Sequence, residues 1–193
     1  LEQGGALPEL LAGHSLGEYS ALVCADVLSL GDAVSLVHKR GLYMQEAVPA
    51  GTGAMAAILG LDDDKIQAIC EQQAQGEVVA PANYNSTGQT VIAGSVAAVE
   101  RAIADCKEAG AKRALRLNVS VPSHCALMLP AAQRLTEDLE AVGFKTPQVP
   151  VIQNINGRVA KNSEDIKANL LKQLYMPVQW VESVGCMWDF GVS

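Results

Sequence analysis

The sequence predicts an α/β protein in which strands alternate with helices and a smaller βαββαβ unit interrupts the order. Three observations carry that prediction. First, the apolar run Leu10-Leu11-Ala12 leads through Gly13-His14-Ser15-Leu16-Gly17 into the helix-like Glu18-Tyr19-Ser20-Ala21-Leu22-Val23-Cys24. A strand, a sharp turn and a helix form the setting of a nucleophile elbow. Second, the texture changes between residues 51 and 119, where short strands and two helices succeed one another. Third, the outer parts return to helices around an apolar strand, as a parallel layer does.

Taken in order, the elbow comes first. Its glycines keep side chains out of a tight turn, and the serine hydroxyl is presented above the sheet beside amides that open a helix. The bland alternative is a βα turn with a capping serine. Ser29-Leu30-Gly31-Asp32 has the spacing of a capping box, so the periodic run Ala33 to Val48 reads as a long helix ended by Pro49 and Gly51. Ala54 to Leu61 reads as a strand, and Asp62-Asp63-Asp64 as the cap of a helix to Ala74. Glu77 to Tyr84 and Gln89 to Gly94 read as strands joined by the turn Asn85-Ser86-Thr87-Gly88. Ser95 caps a helix to Ala109, Gly110 closes it, and Lys112 to Val119 is a last strand. Beyond the loop Ser120-Val121-Pro122-Ser123-His124, a helix is expected from Ala126 to Val142 and a strand from Val149 to Asn154. Two further helices, Asp165 to Leu174 and Val178 to Phe190, are separated by Pro177.

With 193 residues and 49% hydrophobic content the chain can bury a full core. Its net charge of −7 argues against nucleic acid as the main partner. No apolar run reaches the ~20 residues that span a bilayer, and no signal segment opens the chain. Cys24, Cys70, Cys106, Cys125 and Cys186 are odd in number and scattered, which points to reduced thiols in the cytoplasm. The three histidines lack metal-ligand spacing. The chain opens on Leu1 and stops at Gly191-Val192-Ser193, and so reads as a fragment of a longer protein.

A serine needs a base to become a nucleophile. His124, in a loop between elements, is the candidate; the alternative is a loop histidine without a role. His38 reads as a helix-surface residue, and His14 as pointing away from its neighbour Ser15. No acid stands out to orient His124, so a backbone or amide carbonyl is the alternative. Arg40, on the helix after the elbow and followed by Gly41, could bind a carboxylate bidentately; otherwise it is a solvated helix arginine. Lys112, Arg113 and Arg116 are either a guide for anionic ligands or an ordinary strand edge. Cys125 reads as structural.

Gly13-His14-Ser15-Leu16-Gly17-Glu18-Tyr19-Ser20-Ala21-Leu22 closely resembles the nucleophile segment of malonyl-CoA:acyl carrier protein transacylases of the bacterial stand-alone type. The resemblance runs in order through Lys39-Arg40-Gly41, Gly51-Thr52-Gly53-Ala54-Met55-Ala56-Ala57, Asn83-Tyr84-Asn85-Ser86, Val121-Pro122-Ser123-His124-Cys125 and Gln173-Leu174-Tyr175 with Pro177-Val178-Gln179-Trp180. It implies an α/β-hydrolase-like acyltransferase domain over residues 1–50 and 120–193 with a ferredoxin-like subdomain at 51–119. It implies a malonylated nucleophile at Ser15, a general base at His124 and a carboxylate partner at Arg40. By the same resemblance the main-chain carbonyl of Gln173 orients the histidine and the amide of Leu16 is an oxyanion donor, while Asn85 and Arg113 line the approach of coenzyme A and phosphopantetheine. The implied partners are malonyl-CoA and acyl carrier protein, in fatty acid synthesis, with no metal and no cofactor beyond these substrates. The family's N-terminal Gly-Gln-Gly-x-Gln strand and C-terminal Gly-Pro-Gly segment have no counterpart here. On the residues alone, a serine hydrolase on the same elbow and a non-catalytic, pantetheine-binding piece are the competing readings.

Overall fold

Three hydrophobic clusters organise the described residues, a large one among the helices and one on each face of the five-stranded sheet. The computed structural model describes residues 8–119, 121–160 and 162–191; Ser120 and the terminal residues Leu1, Val192 and Ser193 lie outside them. Seven α-helices and seven strands occur among the described residues.

The larger core begins at the elbow. Helix α1 (Gly17–Cys24) follows Ser15 directly, and α2 (Leu30–Ala47) starts at Ser29, whose Oγ accepts from the Asp32 amide at 3.0 Å. The buried side of α2 is Ala33, Leu36, Arg40 and Met44, a single stripe at helical spacing. An arginine on that stripe is carried into the interior by the same periodicity that buries its apolar neighbours. Leu22, Leu36, Met128, Leu135, Val151, Ile166 and Leu170 pack into this core. It is closed by α5 (Leu129–Glu140) and α6 (Ser163–Tyr175). The expected helix from Ala126 begins as one 3₁₀ turn, Ala126–Met128, and becomes α-helical where Pro130 can occupy a first-turn position without losing a needed donor.

The middle of the chain runs β1 (Gly53–Leu59), α3 (Asp63–Ala74), β2 (Val79–Ser86), β3 (Gln89–Ser95), α4 (Val96–Glu108) and β4 (Arg113–Arg116). Neighbouring strands in the order β4-β1-β3-β2 are antiparallel. Period-two alternation divides β1 cleanly. Ala54, Ala56 and Ile58 face α3 and α4 in one core, while Met55 joins Ala82, Val91, Ala93 and Cys125 on the opposite face. β2 extends through Ser86, so the hairpin turn contracts to Thr87-Gly88, with Gly88 at φ 74°. Neither Asp62 nor Ser95 caps its helix through a side chain; at α4 the Val96 amide instead donates to the Thr52 carbonyl at 3.0 Å.

Tertiary pairing overrides the helical pattern near the end of the chain. Val178–Gln179 forms β7, a parallel edge on β2 in register Asn83↔Val178 and Tyr84↔Gln179, and only then does α7 (Trp180–Asp189) begin. The parallel layer before the elbow is short. Leu11 and Val151 make an isolated parallel bridge, and the expected strand Val149–Asn154 reduces to β5 (Ile152–Gln153), antiparallel to β6 (Arg158–Val159).

Candidate active site

The elbow is built by backbone strain at one residue and by a contact that excludes a side chain at another. Ser15 sits at φ 52°, a left-handed conformation that L-residues adopt rarely and that is stored where the surroundings enforce it. A Cβ on Gly13 would lie 2.0 Å from the Gly17 carbonyl oxygen, so no side chain fits there. A Cβ on Gly17 would meet nothing within 4 Å. Only the first glycine of the motif is sterically obligatory. The turn is closed by Gly17 N donating to His14 O and Glu18 N to Ser15 O. The Leu16 amide between them donates to no group among the described residues, leaving an N–H at the positive end of α1.

His124 reaches Ser15 across 109 positions of sequence: its Nε2 lies 2.9 Å from Ser15 Oγ. The histidine is also at positive φ, 62°. Two carbonyls that the end of α6 leaves without helical partners hold it. Its amide donates to Leu174 O at 3.0 Å, and Nδ1 lies 2.6 Å from Gln173 O. A carbonyl only accepts, so Nδ1 carries the proton and Nε2 presents a lone pair to the serine hydroxyl. Burial, with His124 only 4% exposed, pushes its pKa down to about 4 against the opposing pull of the Gln173 bond; Arg40 and His14 push the same way as burial. The imidazole is therefore neutral at pH 7, as a general base must be.

Arg40 arrives from α2. Its Nη2 is 3.2 Å from both Ser15 Oγ and Gln173 Oε1, and the residue is 6% exposed. It forms no ion pair among the described residues, and its buried Nε has no partner there. Burial lowers its pKa, while Tyr19 and Glu18 act in the other direction. A cation held dry beside a nucleophile is poised for an anionic group on the substrate.

Asn85, at the end of β2, accepts at Oδ1 from His14 Nε2–H at 2.8 Å, and Trp180 packs its ring 5.2 Å from the same imidazole. His14 thus turns to the small sheet, away from the serine. Arg113 stands elsewhere. It is exposed on the edge strand β4, in line with Leu59, Gln89 and Ser86 across three strand spacings, roughly 15 Å from Ser86. It shares that end of the sheet with Asn85 but not the serine's immediate surroundings. Its neighbour Arg116 pairs with Glu100 at 3.2 Å.

Sequence reasoning missed Glu18, Asn154 and the side chain of Gln173. Glu18 is buried on α1, and burial raises its pKa to about 7 against hydrogen bonds from Asn154 and Gln173 and the charge of Arg40. A signal existed: Glu18 lies one helical turn before Leu22, on the face that must go inward. Asn154 gave none. Its Oδ1 accepts from Ser15 N at 2.6 Å and its Nδ2 donates to Gly13 O at 2.8 Å, so one side chain clamps both arms of the elbow. Among the described residues there is no cluster of metal-ligating side chains and no helix long and apolar enough to cross a membrane.

A half-buried hydroxyl on a strained elbow, hydrogen-bonded to a neutral and carbonyl-anchored imidazole, is the apparatus of serine acyl chemistry. Residues 1–185 match the Acyl transferase domain family, and the chain belongs to it. It is 59% identical over 192 residues to a malonyl CoA-acyl carrier protein transacylase of Escherichia coli strain K12, covering 100% of this chain and 62% of the relative. Its identity to the protein of that name from Bacillus subtilis strain 168 is 49%, over 100% of this chain and 61% of the relative. The fold is similar to the crystal structure of an acyl carrier protein S-malonyltransferase from Vibrio cholerae, with a TM-score of 0.97 and 57% identity over 99% of this chain and 62% of the other. A malonyl-transacylase solved in complex with a type II polyketide acyl carrier protein has a TM-score of 0.97 and 55% identity, over 99% and 62%. The chain spans about three fifths of the length of these relatives.

Proposed function

We propose that the complete polypeptide transfers a malonyl group from malonyl-CoA to the phosphopantetheine thiol of acyl carrier protein, through a malonyl ester on Ser15. The observation that carries this reading is Arg40, a buried guanidinium with no carboxylate partner among the described residues, 3.2 Å from the nucleophile. A diacid half-ester brings the missing carboxylate; a neutral acyl group does not.

In this reading His124 Nε2 takes the Ser15 hydroxyl proton as Oγ bonds to the thioester carbon. The developing oxyanion is met by the Leu16 amide. When the carbon–sulfur bond breaks, the imidazolium gives its proton to the departing coenzyme A thiolate. The second half reverses the first: the carrier thiol gives its proton to His124, sulfur attacks the ester, and the proton returns to Ser15. The imidazolium is a costly intermediate because it is buried beside Arg40. A substrate carboxylate on Arg40 cancels that neighbouring charge, so the acyl group that fits also eases the proton transfer. The Gln173 carbonyl holds the tautomer throughout. Asn85 and Arg113 belong to the approach used by the coenzyme and carrier arms.

The antiparallel order β4-β1-β3-β2, with α3 and α4 packed on one face, supports reading residues 51–119 as a ferredoxin-like subdomain. In that reading residues 1–50 and 120–193 form an α/β-hydrolase-like acyltransferase domain. The reaction needs no cofactor beyond its thioester and thiol substrates, and a cytoplasmic role in fatty acid elongation accords with it. Intact-mass measurement after mixing the complete polypeptide with malonyl-CoA tests the proposal. A malonyl adduct is expected that is absent in Ser15→Ala, and an adduct that persists in that variant overturns it.

A further inference from the structure

The mechanism leaves one buried carboxylate without a task. Glu18 is 1% exposed, and one of its oxygens, Oε2, accepts from the Asn154 amide at 3.0 Å and from Gln173 Nε2 at 2.7 Å. The other oxygen, Oε1, has no partner among the described residues. Each partner of Oε2 goes on to touch the reacting group or its binding residue. Asn154 holds the Ser15 amide and the Gly13 carbonyl. Gln173 gives its second amide hydrogen to Ser15 O at 3.1 Å, receives Arg40 Nη2 on Oε1 at 3.2 Å, and receives His124 Nδ1 on its main-chain carbonyl at 2.6 Å.

A primary amide can sit in two orientations related by a flip, and its neighbours decide which. Glu18 and the Ser15 carbonyl both accept, so Gln173 must turn its NH₂ toward them. That leaves Oε1 as the only end facing the guanidinium of Arg40. In the flipped amide, NH₂ would confront a guanidinium that can only donate, and Arg40 would keep only its bond to Ser15 Oγ.

We propose that Glu18 is a positioning residue for acyl-group selection: by fixing the amide of Gln173 it aims Arg40 at the substrate carboxylate, and through Asn154 it holds the elbow. Glu18 touches neither substrate nor reacting atom, and it sits one helical turn from the serine it serves. This inference rests on the malonyl-transfer reading and adds the source of its selectivity. The Glu18–Gln173–Arg40 chain links the buried carboxyl to the guanidinium through one neutral amide while the binding edge of Arg40 stays open for a ligand.

The test compares Glu18→Gln and Glu18→Met in the complete polypeptide, with rates of Ser15 loading from malonyl-CoA and acetyl-CoA referred to the titrated concentration of reactive serine. Glu18→Met removes both acceptor oxygens. It is expected to slow both loadings, malonyl loading about tenfold more than acetyl loading, because misplacement of a binding group on the scale of an ångström costs up to about 10²-fold. Glu18→Gln keeps an acceptor at the same reach and is expected to restore most of the malonyl preference. A purely structural role lowers the reactive fraction and leaves the malonyl-to-acetyl ratio where it was. An unchanged ratio in Glu18→Met overturns the proposal. A second pair, Glu18→Gln combined with Gln173→Glu, exchanges donor and acceptor and presents a carboxylate to Arg40. This double variant is expected to lose malonyl preference, and its retention overturns the proposal equally. Failure of the underlying reading shows separately, as the absence of any malonyl-Ser15 in the wild-type protein.

Discussion

Replacement of Arg40 by methionine isolates the carboxylate contact, because methionine keeps most of the apolar stem that packs on α2's buried stripe while removing the guanidinium. The bound malonyl group would pair with a side chain that is 6% exposed, so the pair forms in a dry setting. Breaking a buried pair by deleting one partner costs about 3–5 kcal/mol. At about 1.4 kcal/mol per factor of ten, kcat/KM for malonyl-CoA is expected to fall between about 10² and a few times 10³. Acetyl-CoA has no carboxylate to lose. It forfeits only the Arg40 Nη2 bond to Ser15 Oγ, 3.2 Å long and worth about 1 kcal/mol net, or less than about tenfold in rate. Stability is expected to change little or to rise, since a guanidinium without an ion-pair partner among the described residues is being removed from the interior. Stopped-flow or quenched loading of Ser15 with each thioester gives the two rates, and thermal unfolding checks the fold. Equal losses for malonyl and acetyl groups would refute the assignment of Arg40 as the carboxylate anchor.

The remaining predictions probe the elbow and its electrostatics. Gly13→Ala forces a Cβ to within 2.0 Å of the Gly17 carbonyl oxygen and is expected to destroy the elbow. Gly17→Ala enters open space and is expected to stay within about 1 kcal/mol of wild type. Urea unfolding and Ser15 loading read both, and equal tolerance of the two would contradict the turn geometry. Because the His124 pKa is held near 4, kcat/KM for loading is expected to fall as pH drops through about 4 and to show no step near 6.5; a step at the ordinary histidine value would mean that the imidazole is not buried as described. Stability should carry two opposing slopes. Below its ordinary 6.5 the unfolded His124 binds a proton that the folded one refuses until about 4, so its contribution is lost as pH falls over that window. Folded Glu18 keeps its proton up to about 7 where the unfolded group releases it near 4.5, so its contribution is lost as pH rises. Glu18→Gln removes the second slope, and between pH 4.5 and 7 its stability is expected to climb relative to wild type by about 3 kcal/mol. Parallel pH profiles for the two proteins would refute the burial argument for Glu18.

Local patterns were legible where local physics dominates. Ser29 caps α2 at the position its capping-box spacing indicates, and the βαββαβ order follows from runs of alternating and helical periodicity. Patterns failed where a distant partner competed. Val178–Gln179 carry helical texture, yet they pair with Asn83 and Tyr84 of β2 because the backbone bonds of a sheet edge outweigh propensity at a helix start. The strand expected over Val149–Asn154 is observed as two residues paired with β6 and a single bridge from Val151 to Leu11. Glu18 was readable in principle from its helical face; Asn154 was not, because nothing local distinguishes an asparagine that clamps an elbow from one in a surface turn.

The order of residues by itself determined the tight turn that leads from Gly13 into α1, the start of α2 at Ser29 and the βαββαβ order of the middle of the chain. These follow from steric limits on φ and ψ and from periodicities of 2 and 3.6, which act over a few residues. Only the tertiary structure decided that the Leu174 carbonyl anchors the His124 amide, that Asn154 clamps both arms of the elbow, and that Glu18 and Arg40 meet through one amide of Gln173. Those contacts depend on where packed cores bring distant segments. A hydrogen bond specifies distance and direction in space, and the sequence records neither.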